Sequence, residues 1–124
     1  MERVQGVGGV FLRATDREKQ LAFYRDGLGV AIEDWGGGVF PWAAQDRADA
    51  AMTVFSVFPA DSAYLPAAQQ AMVNFRVRDL DAMRAQLVAY GADVDPKVEE
   101  SEFGRFGWVT DPGGLRIELW QPPP

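Results

Sequence analysis

The sequence predicts an α+β domain that consists of two copies of a βαβββ module. The segments follow the order strand, helix, strand, strand, strand, and the same order then repeats. The two copies align with Arg13-Ala14-Thr15-Asp16 over Arg76-Val77-Arg78-Asp79. Such an internal repeat indicates a duplicated supersecondary unit. We expect one domain over residues 1–124, with two modules and the linker between them at about 5–60, 70–122 and 61–69.

Two segments have the apolar periodicity of short amphipathic helices. The first runs from Thr15 to Leu28, and Thr15 with Glu18 has the spacing of a capping box. The second runs from Asp79 to Tyr90, with Asp79 as the expected N-cap and Gly91 as the expected stop. Each helix has one apolar face to bury, and we expect that face to cover the strands of its own module.

The other segments are rich in β-branched and aromatic residues, which predicts strands. The predicted strands are Val7–Ala14, Val30–Trp35, Val39–Ala43, Ala51–Phe58, Met72–Val77, Ala92–Asp95, Arg105–Thr110 and Leu115–Gln121. The clearest turns are Gly36-Gly37-Gly38 and Asp111-Pro112-Gly113-Gly114. The acidic segment 93–102 is interpreted as a solvated loop, with the mouth of a binding cleft as the alternative.

The composition excludes several classes of site. The chain has no histidine and no cysteine, so it offers no imidazole base, no Ser-His-Asp or Cys-His nucleophile and no disulfide. Its 18 acidic and 12 basic residues give a net charge of −6, which disfavours nucleic acid as a partner. No apolar run approaches the roughly 20 residues that span a bilayer. We expect a cytoplasmic protein with no nucleic-acid partner and no membrane partner.

Three strings of the sequence carry a family resemblance. They are Phe23-Tyr24-Arg25-Asp26-Gly27-Leu28-Gly29, Phe75-Arg76-Val77-Arg78-Asp79-Leu80-Asp81, and Asp111-Pro112-Gly113-Gly114 followed by Ile117-Glu118-Leu119-Trp120. Together they resemble the vicinal oxygen chelate superfamily, which includes glyoxalase I, the extradiol dioxygenases, and the fosfomycin- and bleomycin-resistance proteins. The resemblance implies the glyoxalase/bleomycin-resistance fold, in which two curved mixed sheets surround a ligand cleft, and it implies a homodimer.

In the metal-dependent members of that superfamily, four side chains hold the ion. The resemblance places these positions at Gly9, at Met72, at Glu118 and at about Thr53, with Val54 as the alternative. Glycine has no side chain, methionine offers a soft thioether and threonine a neutral hydroxyl. A hard divalent cation would therefore find one carboxylate, that of Glu118. We expect no metal and no other cofactor.

Strand alternation extends these positions to a predicted binding surface. The residues expected to contact a small-molecule ligand are Phe11, Arg13, Thr53, Phe55, Met72, Asn74, Arg76, Glu118 and Trp120. Glu118 is either a ligand-facing carboxylate or the ion-pair partner of an arginine. Arg13 lies where glyoxalase I has an arginine for the carboxylate of glutathione, which implies an anionic ligand group, or it pairs with an acid. Each aromatic residue has core packing as its alternative.

Three functional hypotheses follow from these residues. The first is a metal-independent small-molecule binding protein, similar to bleomycin-resistance proteins, whose aromatic and acidic cleft takes a cationic or aromatic compound. The second is a glyoxalase-like lyase or isomerase, or a dioxygenase of the same superfamily, with Glu118 as the catalytic residue. The third is a regulatory or accessory module whose cleft is vestigial.

Overall fold

The computed structural model describes residues 1–42, 51–112 and 114–124. Its strands are β1 (Val4–Ala14), β2 (Gly37–Pro41), β3 (Met52–Pro59), β4 (Ala71–Val77), β5 (Asp93–Ser101), β6 (Gly104–Thr110) and β7 (Arg116–Gln121). Its helices are α1 (Arg17–Ala22), which continues into a π-helical segment (Phe23–Gly27), and α2 (Leu80–Tyr90). Among the described residues, no helix is long and apolar enough to cross a membrane.

The chain divides into two compact units. The N-terminal unit is Gly9–Ala71, and the C-terminal unit combines Met1–Gly8 with Met72–Pro124. Strand β1 therefore contributes its first half to the C-terminal unit and its second half to the N-terminal unit.

In the N-terminal unit, the strands have the order β2-β3-β1. Strand β3 is parallel to β1 and antiparallel to β2. One face of these strands packs against α1, where Ala14, Leu21 and Val57 are buried together and Ile32 and Phe55 pack against them. The burial of these apolar side chains stabilises the short helix, which would not be stable alone.

In the C-terminal unit, the strands have the order β4-β7-β6-β5. Strand β7 is parallel to β4 and antiparallel to β6, and β5 is antiparallel to β6. Helix α2 covers one face of this sheet, and the buried core between them consists of Val77, Leu80, Met83, Val109 and Leu119. Asp79 caps α2, because its side chain accepts a hydrogen bond from the Ala82 backbone N–H, and Gly91 ends the helix at a φ of 94°.

The predicted α+β class and the duplicated topology are confirmed. In both units the strand before the helix is parallel to the last strand of the module, and the last strand is antiparallel to the one before it. The predicted cap and stop of the second helix are also confirmed. In the first helix the N-cap is Asp16 and not Thr15, since the Asp16 carboxylate accepts from the Lys19 backbone N–H at 3.1 Å.

Two predicted segments are wrong. Val30–Trp35 forms no strand, because the Val30 N–H donates to the Tyr24 carbonyl at 2.8 Å and only an isolated bridge joins Glu33 to Gly37. The acidic segment 93–102 is no loop, since Asp93–Ser101 forms β5. Its charges are accommodated at the sheet edge by cations: Arg105 pairs with Glu100 at 3.0 Å and with Asp81 on α2 at 2.9 Å.

The predicted turn at residues 111–114 is described except for residue 113. The Asp111 carboxylate accepts from the Leu115 backbone N–H at 2.9 Å, and the Gly114 N–H donates to the Asp111 carbonyl at 3.0 Å. Ala43, the last residue of the predicted strand 39–43, lies outside the described residues.

Candidate functional site

Alternate residues of β4, β6 and β7 point to the side of the C-terminal sheet opposite α2, which we call the helix-free face. The strand register brings Asn74 beside Glu118 and Arg76 beside Trp120. From β6, Trp108 lies beside Glu118 and Phe106 beside Trp120. From these three strands, the residues of the helix-free face include Met72, Asn74, Arg76, Phe106, Trp108, Arg116, Glu118 and Trp120. Together they combine an acid, two arginines, an amide and three aromatic side chains.

Asn74, Trp108 and Glu118 form a buried hydrogen-bonded group, which we call the polar cluster. One carboxylate oxygen of Glu118, Oε1, accepts from the Asn74 side-chain N–H at 2.7 Å. The other, Oε2, accepts from the Trp108 indole N–H at 3.1 Å. Glu118 is 1% exposed. A carboxylate so deeply buried requires such donors, because an unpaired charge at this depth would cost several kcal/mol (of the order of 3–5).

Arg76 lies two residues after Asn74 and is 4% exposed. Its Nε donates to the side-chain oxygen of Gln5 at 3.0 Å. Its guanidinium carbon lies 6.0 Å from the centre of the Trp120 ring, within the range of a cation–π contact. The Trp120 ring is parallel to that of Phe106 at a centroid distance of 6.3 Å, and its indole N–H donates to the Phe103 carbonyl. The aromatic pair thus supports a buried cation.

Two further cations lie over the Trp108 ring. Lys97 Nζ is 5.5 Å and the Arg116 guanidinium carbon 5.3 Å from the ring centre. Arg116 also forms an ion pair with Asp95 at 2.8 Å. A hydrogen bond from the Lys97 backbone N–H, and then the bond from Arg116, hold the pKa of Asp95 below its ordinary value. The two tryptophans of β6 and β7, Trp108 and Trp120, therefore each have a positively charged side chain beside the ring.

This pKa shift predicts a loss of stability in acid. Because folding lowers the pKa of Asp95, the stabilisation it contributes is complete above the ordinary aspartate pKa and disappears as pH falls through the lower folded value. We expect Asp95→Asn to be less stable than the wild type at pH 7 and to lose less stability on acidification. Urea midpoints at pH 7 and in the acid range measure this. Asp93→Asn, at an exposed position of the same strand, is the control. If Asp95→Asn loses as much stability on acidification as the wild type does, the prediction is contradicted.

A family model described as the glyoxalase-like domain matches residues 9–120. The chain belongs to this glyoxalase-like family. No curated protein matches the sequence. Among solved structures, methylmalonyl-CoA epimerase from Mycobacterium tuberculosis is 25% identical, with a TM-score of 0.67 over 98% of this chain and 90% of that one.

Two other structures show the same fold. A Streptomyces coelicolor methylmalonyl-CoA epimerase variant in complex with 2-nitronate-propionyl-CoA has a TM-score of 0.70 at 18% identity, covering 98% of this chain and 100% of that one. A glyoxalase/bleomycin resistance protein/dioxygenase superfamily member from Vibrio splendidus 12B01 has a TM-score of 0.61 at 14% identity, covering 98% and 99%. The predicted superfamily resemblance is confirmed.

The residues of this glyoxalase-like chain at the family's metal positions do not fit a hard divalent cation. Both oxygens of Glu118 accept N–H hydrogen bonds within the polar cluster. The hydroxyl of Thr53 accepts from the Trp42 indole N–H at 2.9 Å. Gly9 has no side chain, and Met72 offers a thioether, which such cations bind poorly. Across residues 1–42, 51–112 and 114–124, no three acidic side chains form a group that could hold a metal ion.

The structure corrects the expectation for Arg13. Its Nε donates to the Gln69 carbonyl, and its two terminal nitrogens donate to the carbonyls of Ala60, Ser62, Leu65 and Pro66, at 2.7 to 3.3 Å. A guanidinium has five N–H groups, so these five bonds use its whole donor set. All five N–H groups of Arg13 thus donate to main-chain carbonyls. They contact neither an acidic side chain nor the helix-free face, so Arg13 does not have either of its two predicted roles. It fastens the segment 60–69 to β1.

The prediction that Thr53 and Phe55 lie on the same face of the sheet as Gly9 is also wrong. The register pairs Gly9 with Val54, which was the alternative position, and not with Thr53. Phe55 consequently points towards α1, where its ring lies 4.8 Å from that of Tyr24. The cause is a difference of one residue in strand register, which exchanges the two faces of a strand.

The side chain of Phe11 lies on the predicted face of β1, opposite α1. Its ring lies 5.5 Å from that of Phe58 and 6.3 Å from that of Tyr64, which stacks on Phe58. Of the nine predicted ligand-contact residues, the structure thus brings together Met72, Asn74, Arg76, Glu118 and Trp120 on the helix-free face of the C-terminal unit.

Sequence reasoning missed Phe106, Trp108 and Arg116 on this face, and Gln5 beside it. The places of Phe106 opposite Trp120 and of Trp108 opposite Glu118 follow once the β6–β7 register is known. Gln5 carried no signal, because it contacts Arg76, a residue 71 positions away in the chain.

Gly8 provides a test of how tightly the face is packed. A methyl group on Gly8 would overlap the Asn74 side-chain oxygen and lie 2.9 Å from Trp120 Cε3. We expect Gly8→Ala to lower the free energy of unfolding by about 1–3 kcal/mol, as overpacking does, and to change the near-ultraviolet circular dichroism of the tryptophans. An unchanged free energy of unfolding and an unchanged spectrum would show that a methyl group fits at this position, and would contradict the prediction.

Proposed function

We propose that this glyoxalase-like protein binds a small organic molecule without a metal ion, on the helix-free face of the C-terminal unit. The observation that carries the proposal is the bonding of Glu118. It is the only acid at the family's metal positions, and Asn74 and Trp108 donate to both of its oxygens. Each bond directs a carboxylate lone pair to a protein N–H, so the carboxylate serves as a buried anchor for the face.

The aromatic rings support a planar or apolar ligand body. Phe106 and Trp120 are only partly buried, and their parallel rings offer the apolar surface that small-molecule sites use most. A cationic ligand stays a prediction. Lys97, Arg116 and Arg76 lie beside the rings of Trp108 and Trp120, and two of these cations are paired with acids, Lys97 with Glu99 and Arg116 with Asp95. Resistance to bleomycin itself and a homodimer stay predictions.

The experiment is a thermal-shift screen of small organic molecules in EDTA, followed by native mass spectrometry of each stabilised sample. We expect at least one compound to raise the melting temperature in a saturable way, with one bound molecule per chain and no metal adduct. Binding that appears only after a divalent ion is added would contradict the metal-independent proposal. A screen without any stabiliser would favour the vestigial cleft.

A second candidate, an isomerase, is favoured by the 25% identity to methylmalonyl-CoA epimerase. Solved structures of that enzyme include a complex with methylmalonyl-CoA. Such a reaction requires a group that removes a proton beside a carbonyl, and Glu118 is the buried acid on the helix-free face. Its two N–H bonds oppose this use, because they stabilise the carboxylate and weaken it as a base.

Incubation with methylmalonyl-CoA in deuterated water separates the two candidates. Deuterium incorporation that Glu118→Gln abolishes would establish the isomerase. We expect no incorporation above the rate without protein.

A further inference from the structure

We infer that the ligand of the helix-free face carries a hydrogen-bond donor, an O–H or N–H at the edge of a planar ring, and that the side-chain oxygen of Asn74 accepts from it. The inference rests on the proposed function, since it names the chemical class of ligand for the same face. The juxtaposition that carries it is a buried amide oxygen to which no described residue donates, near the ring of Trp120 and the bare backbone of Gly8.

The first step concerns the unsatisfied oxygen. Asn74 is 2% exposed, and within the part of the chain that the structure describes no group donates a hydrogen bond to its Oδ1. Nearly all buried polar groups in proteins have a partner, because a buried acceptor without one lowers stability. A ligand that brings a donor would remove this cost on binding. The oxygen of Asn74 therefore points to recognition of a donor.

The second step concerns the orientation of the amide. Asn74 Nδ2 donates to Glu118 Oε1 at 2.7 Å. An ionised carboxylate only accepts, so the reversed amide would bring two oxygens together. The bond to Glu118 thus keeps an acceptor on the other side of the amide. A ligand group that only accepts, such as an ether oxygen or a carboxylate, would meet this acceptor without a proton between them, and the site distinguishes it from a donor.

The third step concerns the surroundings of the oxygen. Gly8 has no side chain, and a Cβ built there would overlap Asn74 Oδ1 and lie 2.9 Å from Trp120 Cε3. The oxygen is therefore near the edge of the Trp120 ring, which is parallel to that of Phe106. A planar ligand that stacks on these rings would bring a donor on its own edge to Asn74. This matches the planar ligand body of the proposed function.

The fourth step concerns access, because the oxygen is covered in the free protein. Trp120 is only partly buried, and its indole N–H donates to the Phe103 carbonyl at 2.8 Å, in the exposed turn between β5 and β6. Water can replace this bond at the surface when it breaks. A rotation of the Trp120 side chain away from Gly8 would then uncover the Asn74 oxygen. We expect ligand binding to move this ring.

The first experiment uses the wild type and follows Asn74 directly. It is the only asparagine of the chain, so asparagine with an isotope label at the side-chain carbonyl gives a single carbonyl signal in nuclear magnetic resonance. The probes are β-naphthol, which has an O–H, its methyl ether, which only accepts, and naphthalene, which does neither. We expect calorimetry to show that β-naphthol binds about tenfold more tightly than the other two. Only β-naphthol should move the Asn74 carbonyl signal to higher frequency, as a new hydrogen bond to the oxygen does.

Indole and N-methylindole repeat the comparison with an N–H donor. We expect indole to bind about tenfold more tightly than its methylated form and to move the same signal. A preference in either pair supports the inference, and the pair that shows it identifies the donor as O–H or N–H.

Two variants remove the acceptor in different ways. Asn74→Leu deletes the amide, and Gly8→Ala places a methyl group on its oxygen. In both, β-naphthol should bind no more tightly than naphthalene. Gly107→Ala is the matched control, because its added methyl group would lie 3.3 Å from Leu80 Cδ1, under α2 and on the other side of the same sheet. It should keep the wild-type preference. Circular dichroism at the titration temperature verifies that each variant is folded.

Several results would overturn the inference. These are equal affinities within both pairs of donor and methylated probe, no binding of either β-naphthol or indole, binding that leaves the Asn74 carbonyl signal unmoved, or a preference for the donor that survives in both variants. The proposed function is judged separately by the thermal-shift screen in EDTA. Stabilisation by compounds without a donor would leave it standing while the present inference fails.

Discussion

Arg13→Ala is expected to lower the free energy of unfolding by about 3 kcal/mol or more, since hydrogen bonds to a charged group contribute about 1.5–3 kcal/mol each and do not add fully. The substitution removes the guanidinium from five main-chain carbonyls in the segment 60–69. The Pro66 carbonyl keeps the Gln69 backbone N–H as a donor at 2.9 Å, and for the other four water would have to replace the guanidinium. Urea denaturation, followed by tryptophan fluorescence and circular dichroism, measures the loss.

Two further variants show that the loss comes from the geometry of the guanidinium. Arg13→Lys keeps the charge but has three donors that radiate from one atom, so it should recover less than half of the lost stability. Arg25→Ala removes an exposed arginine paired with Asp26 in the same unit, and it should leave the midpoint unchanged. Full recovery by lysine would show that charge alone matters at this position.

Glu118→Leu is expected to have a comparable effect on the C-terminal unit. The variant leaves the side-chain N–H of Asn74 and the indole N–H of Trp108 buried without their acceptor. Each unsatisfied buried donor costs about 1–3 kcal/mol, so we expect a loss of about 2–4 kcal/mol in the free energy of unfolding. Glu118→Gln has nearly the same shape and one remaining acceptor oxygen, and it should lose less.

A double-mutant cycle isolates the bond between Asn74 and Glu118. When Asn74 is also replaced by leucine, one of the two orphaned donors disappears. The double variant should therefore be more stable than the sum of the single changes predicts, by about 1 kcal/mol or more. Strict additivity would mean that the 2.7 Å contact contributes nothing to folding.

The order of elements and the ends of α2 could be predicted from the sequence because they depend on local chemistry. An aspartate before an apolar helical pattern and a glycine after it mark the ends of a helix without any distant contact. The second copy of the module is the more regular, and its predicted strands reappear as β4 to β7, with β5 longer than expected. The family resemblance rested on strings within such local elements.

The errors lie where distant contacts decide. The face of Thr53 and Phe55 depends on the β1–β3 register, which no local pattern specified to within one residue. Arg13 has the residue type and the position of a ligand contact, but its role is set by where the chain from Ala60 to Gln69 returns. The same holds for Gln5, because its bond to Arg76 joins the two separate chain segments of the C-terminal unit, Met1–Gly8 and Met72–Pro124.

The division of the chain sets an order for folding during synthesis. Residues 9–71 are contiguous, so the contacts internal to the N-terminal unit can form once residue 71 has left the ribosome. The first eight residues belong with Met72–Pro124, and they must wait for β7, the last strand to be made. Contacts of such long sequence separation form slowly, because loop closure is costly in entropy. Glu118 therefore joins Asn74 and Arg76 last, and a chain that stalls before β7 has neither the polar cluster nor the complete helix-free face.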